Sequence, residues 1–210
     1  MKYFTLLVLF TLCSCGNKEA VLLPKANTTI VKNVGDLSPI YIFFRIKNND
    51  TLAEVNRKNS IISTNWILNI DKRLPLRIVI PEIMKLQQKK REEKAHKNEK
   101  AENYYSYADT IGKNLAFLPF TKIYYRIEKP KSAMIVFFTK NNEIQVNNRT
   151  VKREELKQHL TAPSSDKPGT YFFCFAKNMS FGTYLQNEIL IQSLKLQSSE
   201  LGVDKQEFVY

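Results

Sequence analysis

Twice in this chain a run of β-branched and aromatic residues is cut short by paired asparagines, and this feature limits the fold more than any other. Ile40-Tyr41-Ile42-Phe43-Phe44-Arg45-Ile46-Lys47 stops at Asn48-Asn49-Asp50, and Ala133-Met134-Ile135-Val136-Phe137-Phe138-Thr139 stops at Lys140-Asn141-Asn142. Branched and aromatic side chains favour extended backbone, while asparagine tolerates the left-handed conformations of tight turns. Each site therefore predicts a β-hairpin, with return strands over Thr51–Asn56 and Glu143–Asn147. The echo extends further, because Glu54-Val55-Asn56-Arg57 resembles Gln145-Val146-Asn147-Asn148-Arg149. Such a repeat points to an internal duplication with two α+β lobes of similar fold. Coincidence between short matches in an Asn/Lys-rich chain is the competing explanation.

Between and beyond the hairpins the chain alternates strand and helix signals. Trp66, Ile67, Ile70 and Leu74 fall at helical spacing, so a helix is predicted over Ser60–Leu74, capped by Ser63 or Thr64 and closed by Pro75. Leu76–Ile80 then predicts a strand, and Pro81 suits the first turn of a long helix running to Glu102. Gln87 through Glu102 is almost wholly polar. It fits either a basic contact helix or a solvated helix held by opposite charges such as Glu93 and Lys97. Leu115–Phe120 and Lys122–Ile127 predict strands. Asn147–Arg149 predicts a turn before Val151, followed by a short helix over Lys152–Leu160 and a loop over Pro163–Gly169. A strand over Tyr171–Ala176, a helix over Phe181–Leu196 capped by Ser180, and a last strand over Gln206–Tyr210 complete the chain. The expected fold class is α+β, with one or two small lobes of sheet plus helices.

The N-terminus carries a targeting signal. Lys2 precedes the apolar run Tyr3–Leu12, which is long enough for the core of a signal peptide and too short for a membrane span of roughly 20 residues. The following Leu12-Cys13-Ser14-Cys15-Gly16 resembles the lipobox of bacterial lipoproteins. The resemblance implies cleavage after Ser14 and acylation of Cys15, whose lipid chains would hold the protein to a membrane without a transmembrane helix. The expected organisation is a signal peptide over 1–14, a tether over 15–38, an N-terminal lobe over 39–128 and a C-terminal lobe over 129–210. The expected location is the cell envelope of a Gram-negative bacterium, facing the periplasm or the cell surface.

Charge and cysteine usage narrow the functional classes. A formal net charge of +12 suits nucleic acid, an anionic membrane or an acidic partner, and export argues against nucleic acid. With Cys13 cleaved and Cys15 acylated, Cys174 is left alone and no internal disulfide can form. Cys174 lies in the apolar run Tyr171–Ala176 and is expected to be a buried small hydrophobe; His96 and His159 offer no evident base for it. Asp109, Glu154 and Glu155 sit in ordinary polar settings without the facing arrangement that glycoside chemistry needs. The sequence shows no cluster with metal-ligand spacing, no Gly-x-Ser-x-Gly and no phosphate loop, so no catalytic residue, cofactor or metal is expected. Tyr104, Tyr105 and Tyr107 form an aromatic cluster that would either stack sugar rings or enter the core.

The order strand, turn, strand, Val146-Asn147-Asn148-Arg149-Thr150-Val151, short helix with Glu154-Glu155-Leu156, strand, long helix, strand covers 132–210. It resembles the periplasmic domain of the ExbD/TolR family of biopolymer transport proteins. The resemblance implies a protein-binding domain in the periplasm. That family drives its work through a transmembrane helix carrying an aspartate, and here a signal segment without an acidic residue stands in that place. The expectation is therefore a lipid-anchored interaction module, bound to the membrane and to another envelope protein, with no proton coupling. Whether two copies pair as a homodimer is left open. Alternatives are a glycan- or peptide-binding surface lipoprotein and a cell-wall-acting enzyme.

Overall fold

The computed structural model describes residues 20–58, 60–95, 97–131, 134–161, 171–195 and 205–210. The signal segment, Cys15, His96 and the Pro163–Gly169 loop lie outside the described residues. Strands β1 (Lys25–Ala26), β2 (Leu37–Lys47), β3 (Asp50–Asn56) and β4 (Asn65–Ile70) precede helix α1 (Leu76–Glu92). Then come β5 (Asn103–Asp109), β6 (Asn114–Pro119) and β7 (Ile123–Arg126). A second hairpin, β8 (Met134–Phe138) and β9 (Ile144–Val146), leads to β10 (Arg149–Val151), a 3-10 turn (Arg153–Glu155) and helix α2 (Leu156–Thr161). The remainder is β11 (Tyr171–Phe175), helix α3 (Phe181–Ser193) and β12 (Lys205–Val209). The fold is α+β with two mixed sheets. The first runs β1-β5-β4-β2-β3 with β6 on the other side of β5, and the second runs β10-β9-β8-β11-β12-β7.

Four strands of each sheet share one connectivity. In the first, β2 pairs antiparallel with β3 and parallel with β4, and α1 carries the chain to β5, parallel to β4. In the second, β8 pairs antiparallel with β9 and parallel with β11, and α3 carries the chain to β12, parallel to β11. Parallel neighbours require a crossover of this kind, whereas hairpins close on two residues. Asn48 and Asn49 sit at φ 51° and 64°, the positive values that a two-residue hairpin turn demands. Asn142 takes φ 65° at the second hairpin, so the asparagines do the conformational work their position suggests.

The lobes meet at the loops that start their crossover helices. Leu76 N donates to Met179 O at 2.9 Å and Phe181 N donates to Leu74 O at 2.8 Å. Flanking these, Arg77 N donates to Lys177 O at 2.8 Å and Gly182 N to Lys72 O at 3.0 Å. Donor and acceptor exchange roles between matching positions, which is the pattern of an isologous two-fold contact. Residues of both sheets, α1 and α3 form one continuous hydrophobic core.

Several local expectations change. The Ser60–Leu74 segment is not a helix: β4 occupies its centre, with Trp66, Leu68 and Ile70 buried on the core side. Residues 66 and 70 share a face at either period, and the buried Leu68 between them follows the period of two. Leu76–Ile80 is the first part of α1 rather than a strand, because Leu76, Val79, Ile80, Ile83 and Leu86 line up at helical spacing and are buried. Pro81 lies inside that helix and deletes only the bond to the Arg77 carbonyl, one turn from the helix start. The helix stops at Glu92 rather than Glu102, and Lys97 pairs with Glu99 at 2.7 Å in the loop beyond it. Within the tether a short strand does form: β1 pairs with β5, and Val31 exchanges backbone hydrogen bonds with Phe117. Finally, β7 pairs with β12, so Ile123–Arg126 belongs to the second sheet.

Candidate interaction surface

The β2–β3 hairpin ends the first sheet. Its register sets Lys47 opposite Asp50 and Tyr41 opposite Asn56, and β3 is the last strand in the sheet order. Among the described residues the far edge of β3 has no strand partner. An edge of this kind presents unpaired backbone donors and acceptors that another extended segment can take up. Along β3 the exposed residues Asp50, Leu52, Glu54 and Asn56 alternate with half-buried Thr51, Ala53 and Val55. Ala53 and Val55 pack against the core and hold the strand in place.

Beside this edge is a groove of about 570 Å3 between the hairpin and α1. Ile46, Leu52, Ala53 and Ile78 give it an apolar lining, with Arg45, Lys47, Glu54 and Glu82 at its polar rim. Ile46 is 68% exposed and Leu52 43% exposed. Arg45 Nε bonds Glu54 Oε2 at 2.7 Å across the hairpin, and its guanidinium lies 5.1 Å from the Phe43 ring centre. The sequence singled out the hairpin but not its apolar flank. The alternation of β3 with Leu52 among its outward residues was the available signal.

The tyrosines follow the core alternative. Tyr105 and Tyr107 are fully buried on β5, and Tyr104 is half-buried, so the three rings make no exposed sugar platform. Tyr105 stacks on Phe120 at 3.8 Å. Its hydroxyl shares a 2.6 Å hydrogen bond with that of Tyr125, which shares one of 2.8 Å with Tyr184, whose hydroxyl donates to Glu207 Oε2 at 2.6 Å. Burial drives the pKa of all three tyrosines well above their usual value. The chain of hydroxyls lets polar groups sit in an otherwise apolar core.

Of the three cations in the last turn of α1, where they suit the helix dipole, Lys90 and Arg91 bond within the molecule and Lys89 is exposed. Lys90 is buried, and its Nζ donates to Thr64 O (2.9 Å), Glu102 O (3.2 Å) and Asn103 Oδ1 (3.0 Å), 5.0 Å from the Trp66 ring centre. Burial brings its pKa down to about 8, against the opposing charge of Glu102. Arg91 donates to the carbonyls of Thr121 and Ile123 and covers the Tyr124 ring. The helix predicted to Glu102 thus ends at Glu92, and its polar stretch is largely exposed apart from the buried Gln87 and Lys90.

The residues weighed for catalysis are spread over several elements. Cys174 is buried, and burial lifts its thiol to about 12, a value at which the thiolate needed for attack is scarce. Asp109 accepts from Thr29 Oγ1 and from the amides of Ile111 and Gly112, closing the β5–β6 turn. Glu154 and Glu155 are exposed in the 3-10 turn, where Glu155 approaches Lys152 at 3.8 Å. His159 lies on α2. Among the described residues no group of three His, Cys, Asp or Glu could hold a metal ion, and no helix is long and apolar enough to cross a membrane. Comparison of the chain with protein-family models, with curated proteins and with solved structures returns no match.

Proposed function

We propose that this protein is a lipid-anchored interaction module of the cell envelope, built from two ExbD/TolR-like lobes related by internal duplication. Its partner is an extended segment of another envelope protein, which adds to the β3 edge. The observation that carries this is the coincidence of a free strand edge with an apolar groove along α1. Main-chain pairing at such an edge supplies affinity, and side chains entering the groove supply selectivity. The common connectivity of the two sheets and the reciprocal hydrogen bonds between their crossover loops support the duplication. The hairpin ending in Val146–Val151 supports the family likeness. The membrane attachment rests on the lipobox-like Leu12–Cys15.

The test is site-specific photocrosslinking in intact envelopes, with the probe at Leu52 and a control at Leu115 on the opposite side of the sheet. The expected result is one protein adduct from Leu52 and none from Leu115. An adduct equally strong at both sites, or none at Leu52, would count against the edge. Labelled palmitate separates the anchor from the interaction, since Cys15→Ser should abolish its incorporation and leave the lobes folded.

A further inference from the structure

A second cleft lies away from β3, between the N-terminal segment and α3. It measures about 640 Å3, within the range of small-molecule sites. Ile189 and Leu190 of α3 form an apolar wall, and Thr28 and Ser193 also line the cleft. Two cations, Lys25 and Arg153, line it, and among the described residues no acidic one does. The cleft is braced in place, because Gln186 Nε2 donates to Lys25 O at 2.9 Å and ties β1 to α3.

Arg153 is the unusual member. Its Nη2 donates to Asn187 Oδ1 at 2.7 Å and to Asn142 Oδ1 at 3.0 Å, so α3 and the β8–β9 turn together fix its direction. Asn187 is itself fully buried and bonded to Met179 Sδ. Among the described residues no carboxylate forms an ion pair with Arg153, although it is half-buried. A guanidinium carries five N–H donors in a rigid fork suited to carboxylate and phosphate. Two neutral amide oxygens on a single nitrogen leave most of that capacity unused and, among the described residues, supply no contacting counter-charge. Burial lowers the pKa of the group, with the charge of Glu154 opposing, as expected for a cation short of a counter-ion. An anionic head on Arg153 would supply the missing charge, and an aliphatic body would cover Ile189 and Leu190.

We infer that this cleft binds a small amphiphilic anion, a carboxylate or phosphate head on a short aliphatic body, with Arg153 holding the head and Ile189 and Leu190 the body. Titration calorimetry on the full chain tests it with hexanoate, hexyl phosphate and hexan-1-ol. Saturable binding of at least one anion is expected, at least tenfold tighter than the uncharged alcohol; whichever anion binds identifies the head group. Arg153→Gln is expected to weaken that binding about tenfold to a hundredfold, the usual cost of a lost charge-assisted hydrogen bond. Because Arg153 also steadies Asn142 and Asn187, Leu190→Trp is a second variant that fills the cleft and leaves the guanidinium contacts in place. It should abolish binding while the circular dichroism spectrum stays that of the unaltered protein. Hexan-1-ol binding as tightly as the anions, neither anion binding, or both folded variants binding normally would each overturn the inference. If Arg153→Gln fails to fold, Leu190→Trp alone decides.

Discussion

The amide of Leu76 donates to the carbonyl of Met179, and two residues away on each chain segment the amide of Phe181 returns the bond to Leu74. Where the segments cross, a Cβ at Gly182 would stand 3.0 Å from Lys72 Cβ and 3.3 Å from Lys72 O. Gly182→Val should therefore push the crossover loops apart and destabilise the whole molecule by about 1–3 kcal/mol, the usual cost of overpacking. Urea denaturation followed at Trp66 checks this. An unchanged midpoint would mean that the loops can separate freely.

Tyr184 links the tyrosine chain to Glu207, and all of these groups lie in the shared core. Tyr184→Phe keeps the ring contacts with Phe175 and Phe181 but removes one hydroxyl from the series. A loss of about 1–3 kcal/mol is expected, since Tyr125 and Glu207 each lose a buried hydrogen bond. Equilibrium unfolding of the variant provides the measurement, and a neutral result would show that the hydroxyl chain contributes nothing net.

Lys90 predicts a rise in stability with pH. Its folded pKa is about 8 against an ordinary value of 10.5. Between those values the unfolded chain holds the proton and the folded chain does not, so stability attributable to this group grows with pH across the window. Lys90→Met removes the effect. The stability difference between wild type and variant should shift towards the wild type from about pH 7.5 to about pH 10. A flat difference would place the Lys90 pKa near that of a free lysine.

Asp71 predicts the opposite end of the scale. Burial opposes its charge, but hydrogen bonds from the side chain and amide of Arg73 and from the Leu22 amide prevail and hold the carboxyl below its usual range. A depressed folded pKa gives stability that is complete above the ordinary carboxylate value and lost as pH falls through the folded one. Asp71→Asn should cost about 1–3 kcal/mol at neutral pH and flatten the acid limb of the stability profile. It should also speed proteolysis before Pro24, because Leu22 loses one of its two hydrogen bonds to residues 71–72. Limited digestion at neutral pH and acid titration of the unfolding midpoint read the two effects separately.

The hairpins, the short helix, β11 and the capped α3 were legible in the sequence because each is signalled locally. Ser180 illustrates this: its hydroxyl accepts from the Thr183 amide, as an N-cap serine should. The segment from Ser60 to Glu102 was not legible for equally physical reasons. Trp66 and Ile70 fit both a helix and a strand face, and only pairing with β2 and β5 selects the strand. Pro81 suggested a helix start, yet the apolar stripe from Leu76 to Leu86 outweighs its one lost bond. Lys90 looked like surface charge because its three acceptors come from residues 64, 102 and 103, which approach only through tertiary packing. The cleft at Arg153 was invisible for the same reason: its walls come from residue 25 and from α3, at opposite ends of the chain.

The reciprocal bonding between the crossover loops has a consequence for how this molecule can change. Two separate copies meeting this way would carry every substitution twice and would come apart on dilution. With both lobes on one polypeptide, the contact forms at any concentration, and each side is free to drift alone. The lobes do differ, with the groove beside β3 in one and the arginine of the 3-10 turn in the other, as the proposed duplication would permit.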